Sequence, residues 1–206
     1  MVGCAARCHD HACGRYLGGG VVMAFVKIAD IPVDGLMDDI ADEEWKEFTG
    51  RQDHPASSHK DTEAIYLRWS KSMSIDSVFT DIHAVDYPAL DRHKQFRRVL
   101  AKIMYYTKGK ELGRAMIVKL KPGGYIDKHT DEGDYAEYYS RYHLVLQSND
   151  LVSFQVDLTN ESHWETVNMV NGELWWFNHR KPHCVDNASD EDRIHLIVDI
   201  RGGRQH

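Results

Sequence analysis

Cysteine is scarce where a disulfide framework would need it. Of the four cysteines, Cys4, Cys8 and Cys13 crowd into the first thirteen residues, and only Cys184 lies beyond them. No set of bridges can staple the main body of the chain. This points to a reducing compartment, and a cytoplasmic protein is expected. Long apolar runs are missing as well. None approaches the roughly 20 residues that span a bilayer, so no membrane partner is expected. An excess of positive charge is also absent. The formal net charge is −7, which argues against a nucleic-acid partner, because such proteins normally show a basic face. The one basic stretch, DRHKQFRRVLAK from Asp91 to Lys102, reads as the solvated side of a helix. No internal repeat is visible.

What is present suits one globular domain. Hydrophobic residues make up 42% and charged residues 28% of 206 residues, an ordinary balance and enough length for a sizeable core. Residues 1–22 are Gly- and Cys-rich and lack periodicity. They read as a disordered tail, or as upstream sequence ahead of a start at Met23. CAARCHDHAC has zinc-binding residue types, but its spacing matches no closed four-ligand pattern. LGGGVVMAFV is apolar but broken by glycine, and makes a poor signal peptide.

Residues 23–206 are expected to form a single domain, with helical support over 23–109 and a β core over 110–203. AFVKIA predicts a first strand. PVDGLMDDIADEEWKEF carries Val33, Leu36, Met37, Ile40 and Trp45 at helical spacing and predicts a helix. GRQDHPASSHKDT is a polar loop. AIYLRW and DSVFTDI predict short strands. YPALDRHKQFRRVLAKIMYYTKG predicts the longest helix, opened near Pro88 and stopped by Gly109. After Gly109 the texture becomes short strands with turn signals between them: RAMIVKL, YIDKHTD, RYHLVLQ, VSFQVDL, ETVNMV, GELWWFN, HCVDN and RIHLIVDI. Many short strands at regular spacing imply a sandwich or barrel.

Some of these strands carry more charge than a core accepts unpaired. Residues two apart on a strand share a face, so His129 pairs with Asp131, and Arg141 with His143. In RIHLIVDI, Ile194, Leu196, Val198 and Ile200 form one face; Arg193, His195, Ile197 and Asp199 form the other. His-x-Asp followed by a distant second His is the recipe for a facial triad, which holds iron(II) and leaves three positions open. The second His is His183 in HRKPHCVDN. His179 competes through equal strand parity, though Pro182 precludes an ordinary helix joining the two, and His163 is a weaker candidate in a polar turn. A lone histidine here is otherwise a surface or hydrogen-bonded core residue. Arg193 strengthens the pattern. A buried Arg needs an anion, and a metal with an Arg nearby is what a dicarboxylate cosubstrate requires. The alternative is a structural salt bridge to Asp186, Asp190 or Asp199.

The stretch from about Gly113 to Gly202 resembles the aspartyl/asparaginyl β-hydroxylases, a branch of the iron(II)- and 2-oxoglutarate-dependent oxygenases. KPGGYIDKHTD, RYHLVL, GELWWFNHRKPHCVDN and DRIHLIVDI carry the resemblance, in family order. It implies a double-stranded β-helix (jelly-roll, cupin-like) core that is mainly β with N-terminal helices. It also implies His129 and His183 as iron ligands and Arg193 as the clamp on the distal carboxylate of 2-oxoglutarate. Arg141 and His143 would contact that cosubstrate or order it from behind. The animal enzymes that name the family have Gly where this chain has Asp131. Here the carboxylate is present, which keeps a three-ligand metal site and leaves the substrate open. The implied reaction consumes O2 and 2-oxoglutarate, releases succinate and CO2, and hydroxylates an unactivated C–H of an amino acid, free or within a peptide.

The segment EGDYAEYYS between Asp131 and Arg141 should hang over the open metal positions. Its Glu132, Asp134 and Glu137, with Tyr135, Tyr138 and Tyr139, suggest a lid selecting a cationic substrate group, against the simpler reading of an acidic surface loop. Two rival functions are a non-catalytic cupin-like metal or carboxylate-binding module and a zinc hydrolase using the same ligands. Neither needs the anion clamp that Arg193 and Arg141 would form.

Overall fold

The computed structural model describes residues 23–43, 45, 57–159 and 163–203. The expected tail over residues 1–22 and most of the polar loop after Gly50 lie outside them. Among these residues eleven strands and five helices follow one another. They run β1 (Phe25–Asp30), α1 (Leu36–Asp39), β2 (Thr62–Trp69), α2 (Ile75–Thr80), β3 (Val85–Asp86), α3 (Pro88–Arg92) and α4 (Lys94–Thr107). Then come β4 (Glu111–Leu120), β5 (Tyr125–His129), α5 (Asp134–Tyr138), β6 (Ser140–Gln147), β7 (Val152–Asp157), β8 (Trp164–Val167), β9 (Glu173–Phe177), β10 (His183–Asn187) and β11 (Arg193–Arg201). No helix among the described residues is long and apolar enough to cross a membrane, which says nothing of a β-barrel.

The strands form two antiparallel sheets. One has seven strands in the order β1-β9-β6-β11-β4-β2-β3, the other four in the order β5-β10-β7-β8. Leu120, Val145 and Phe177 of the large sheet meet Ile126, Phe154, Val156 and Val185 of the small one in an apolar layer. This is a jelly-roll core, mainly β as expected.

The outer face of the large sheet is closed by α4. Phe96, Val99, Leu100 and Ile103 recur at three- and four-residue spacing and pack with Leu144, Leu174, Leu196 and Ile117. Each such side chain contributes about 1.5–3 kcal/mol when fully buried. The strand parity holds: Ile194, Leu196, Val198 and Ile200 all join this outer core. The opposite face of β11 therefore turns Arg193, His195 and Asp199 inward, where all three are buried. Gly109 ends the helix where a Cβ would lie 2.4 Å from Ile200 Cγ2, so the close approach excludes any larger residue.

Three expected elements differ. DSVFTDI is not a strand but helix α2, because Ser74 Oγ accepts from the Ser77 N–H at 3.2 Å and caps the first turn. The single long helix from Tyr87 is broken at His93, whose ring is held by Glu43 at 2.7 Å and Asp39 at 3.5 Å while its backbone leaves the helical region. The helix expected over Pro32–Phe48 is, among the described residues, the single turn α1. It begins only after Gly35, at φ 71°.

Candidate active site

The turn Lys121-Pro122-Gly123-Gly124 launches β5. Gly123 sits at φ 65°, and the Gly124 N–H reaches Lys121 O at 2.9 Å, a geometry that needs glycine at the third position. β5 then pairs with β10 so that His129 and His183 are register partners, with a register irregularity between them and the Ile126–Val185 pair. Such bulges re-aim side chains near functional sites. The two imidazole centroids are 4.2 Å apart. Asp131 lies two residues on, its backbone N–H held by His179 O at 3.1 Å. One potential ligand atom from each of His129, Asp131 and His183 falls within a 4.8 Å cluster.

The rings are fixed from behind. His129 Nδ1 lies 2.8 Å from Asp127 O, and His183 Nδ1 lies 2.9 Å from Lys181 O. A carbonyl can only accept, so each Nδ1 carries the proton and each Nε2 presents its lone pair. Burial pushes the His183 pKa down to about 4 against the opposing pull of Asp131, so the ring is neutral at pH 7. Burial would raise the Asp131 carboxyl, but Arg141 and the surrounding imidazoles override it and hold the group well below the ordinary carboxylate range. Two imidazoles and one carboxylate are a donor set for a divalent transition metal.

Arg141 has a different neighbourhood from the one expected. Its Nη1 donates to Asp131 Oδ2 at 2.7 Å. Its Nε and Nη2 grip Asp199 Oδ1 and Oδ2 at 2.8 and 3.1 Å. Arg141 and Asp199 are cross-strand partners on β6 and β11. The guanidinium is thus committed to two carboxylates. It holds Asp131 by one oxygen and leaves Oδ1 facing the histidines, 3.7 Å from His129 Nε2.

Arg193 is the opposite case. It is 1% exposed and makes no ion pair with a described residue, so Asp186, Asp190 and Asp199 are not its partners. Burial pushes its pKa down to about 9. Its Nη2 lies 2.8 Å from His195 Nδ1, which must accept and therefore places the His195 proton on Nε2. His143 Nδ1 lies 3.3 Å from the same atom, and the ring packs against Phe154 and Phe177. Arg193 Nε and the Nε2 atoms of His143 and His195 are buried without a hydrogen-bond partner. The Arg193 Nε–H and the His195 Nε2–H are buried donors that call for an acceptor, whereas His143, donating from Nδ1 to His195, presents its Nε2 as an acceptor.

The other candidates separate. His179 Nε2 contacts Ala136 O at 3.0 Å and stays out of the ligand cluster. His163 is exposed, just before β8. A cavity of about 300 Å³ adjoins the cluster, lined by His129, Asp131 and Arg141. Glu132 and Tyr135 of the expected acidic lid also reach it, whereas Asp134 and Glu137 do not. Tyr135 is buried, its OH accepting from the Arg114 N–H at 2.9 Å, and Tyr139 OH donates to Ile82 O at 2.9 Å. The tyrosines anchor α5 to the body instead of facing outward.

Sequence reasoning missed the far wall: His59, Trp69 and Arg114, with Ile75, Val78 and Phe79 of α2. Arg114 is buried between the Trp69 and Tyr135 rings. It donates to Val78 O, Ser77 O and Asp81 O at 2.7–2.9 Å. The one available signal was Ser74, three residues before Ser77, which marks a helix start.

Comparison with known proteins bears on the family and the fold. A family model described as aspartyl/asparaginyl beta-hydroxylase matches residues 38–202. An L-proline cis-4-hydroxylase from Rhizobium meliloti (strain 1021) is 29% identical over 84 residues, which is 41% of this chain but only 28% of that protein. The structure of an oxidoreductase of the 2OG-Fe(II) oxygenase family from Burkholderia pseudomallei superposes with a TM-score of 0.61 at 12% identity. The superposition covers 82% of this chain and 77% of that one, a likeness of fold. The chain belongs to the aspartyl/asparaginyl β-hydroxylase family.

Proposed function

We propose that this protein is an iron(II)- and 2-oxoglutarate-dependent dioxygenase that hydroxylates an unactivated C–H of an amino acid, free or within a peptide. The observation that carries the reading is the His129–Asp131–His183 cluster beside Arg193, a buried cation without an anionic partner. The residues fit the implied groups. His129 Nε2, His183 Nε2 and Asp131 Oδ1 would hold the metal. Arg193, with the His195 Nε2–H, would hold the distal carboxylate of 2-oxoglutarate. When bound, iron and 2-oxoglutarate supply the oxidising power, with O2 consumed and succinate and CO2 released. The protein's part is positioning. Arg141 restrains Asp131 to one-oxygen ligation, the two backbone carbonyls fix the imidazoles, and the Phe154–Phe177 pair keeps the inner end of the site apolar.

Likeness to an L-proline hydroxylase supports a small amino-acid substrate. A zinc hydrolase or a bare metal-binding module would leave Arg193 buried without purpose. The test is succinate formation from 2-oxoglutarate with iron(II), ascorbate and air. Release that requires iron supports the reading. No release under any substrate condition contradicts it.

A further inference from the structure

The cavity beside the ligand cluster has a consequence for the substrate. Its charged wall residues are Arg114, Asp131, Glu132 and Arg141. Asp131 and Arg141 are bonded to each other, and Asp199 takes the rest of the Arg141 fork. Arg114 gives its Nη atoms to three carbonyls that close α2, and both its faces are covered by aromatic rings. A charged group pushed into this space would find no free counter-charge on these residues and would lose its hydration. Only Glu132 is exposed and without an ion pair among the described residues, and it stands at the rim.

A second observation is independent of the charges. Ile75 and Phe79, four residues apart on α2, are large apolar side chains each 48% exposed, and both line this cavity. Residues at this spacing share one side of a helix. About half of each side chain is left open. Val78 and Met116 continue the apolar surface inward.

We propose that the group placed at the metal is an uncharged apolar side chain or ring, gripped by Ile75, Val78 and Phe79. The charged ends of the substrate stay at the mouth, near Glu132. This rests on the hydroxylase reading and narrows its substrate class. It replaces selection of a cationic group by the acidic segment, because Asp134 and Glu137 do not line the cavity.

The test uses the full chain with iron(II), 2-oxoglutarate and a defined panel: proline, valine, leucine and isoleucine against lysine, arginine, aspartate and glutamate. Each is supplied free and as the N-acetyl amide. The readouts are 2-oxoglutarate consumption, product mass, and binding to the manganese(II)-loaded protein by calorimetry. At least one apolar member should bind and be hydroxylated at least tenfold more efficiently than every charged one. Phe79→Ala should raise its KM about tenfold, the scale of half-burying one aromatic side chain, with a smaller change in kcat. Phe79 is half exposed, so the variant should fold, and Ile75→Ala provides a second probe of the same wall. A charged substrate outranking the apolar set overturns the proposal. So do an unchanged KM in both variants, or no response to any apolar compound. Iron-dependent consumption of 2-oxoglutarate without added substrate separates these outcomes from failure of the hydroxylase reading, which would abolish that consumption as well.

Discussion

At the scale of residues, the site is a set of side chains whose partners decide their roles. Arg141, partly buried, and Arg193, fully buried, both sit on inward faces, yet one is bracketed by carboxylates and the other has none. Replacing Arg193 by Lys keeps the charge and loses the planar fork. The 2-oxoglutarate KM should rise by a factor corresponding to about 1.5–3 kcal/mol, the scale of a charge-assisted hydrogen bond. An unchanged KM would remove Arg193 from the clamp. Asp199 touches no proposed ligand, but it fixes the guanidinium that fixes Asp131. Asp199→Asn should therefore weaken divalent-metal affinity by roughly 10–100-fold, as loss of a ligand's supporting contact does. In an Asp131→Gly background the same change should do nothing further. An equal loss in both backgrounds would mean that Asp199 acts on the fold instead. The pairing of His129 with Asp131, and the Arg193 anion requirement, were legible from strand parity and residue type. The occupation of Arg141 by Asp131 and Asp199 was not, because it depends on cross-strand register.

At the scale of elements, local propensity was overridden wherever a tertiary contact competed with it. α2 reads as a strand because Val78 and Phe79 are strand formers and Thr80 is β-branched. Ser74 at its start and Arg114 on its last carbonyls make it a helix. Ser74→Ala should cost about 1 kcal/mol through the lost cap. Since α2 carries Ile75, Val78 and Phe79, it should also raise the substrate KM while leaving metal affinity intact. Thermal unfolding and metal titration of one variant separate the two effects. α4 was legible because its apolar stripe has one period and one destination. Ile103→Ala, at a fully buried position, should lose about 2–5 kcal/mol. Urea unfolding checks it, and a loss below about 1 kcal/mol would show that the α4 contact is not part of the core.

At the scale of the whole molecule, the proposed ligand histidines lie on neighbouring strands of the small sheet and their supports on the large one, so binding of a metal there and stability would be linked. β5 and β10 contribute the histidines of the small sheet, and β6 and β11 supply Arg141, Arg193 and Asp199 from the large one. A metal held between such strands stabilises the fold by about 2.7 kcal/mol at a hundred times its Kd. Chelation should accordingly lower the Tm of the wild type and leave that of His129→Ala nearly unchanged. The jelly roll was legible in the run of short strands after Gly109. The cavity wall was not, since it joins α2, β2 and β4, which are distant in sequence from the His-x-Asp motif and carry no motif of their own. The central claim is that His129, Asp131 and His183 form one working metal site. Its most direct test is iron-dependent succinate release by His183→Ala beside the wild type, with both shown to be folded. The expected result is release by the wild type only when iron is present, and loss of that release in the variant. Near-normal release by folded His183→Ala would contradict the account.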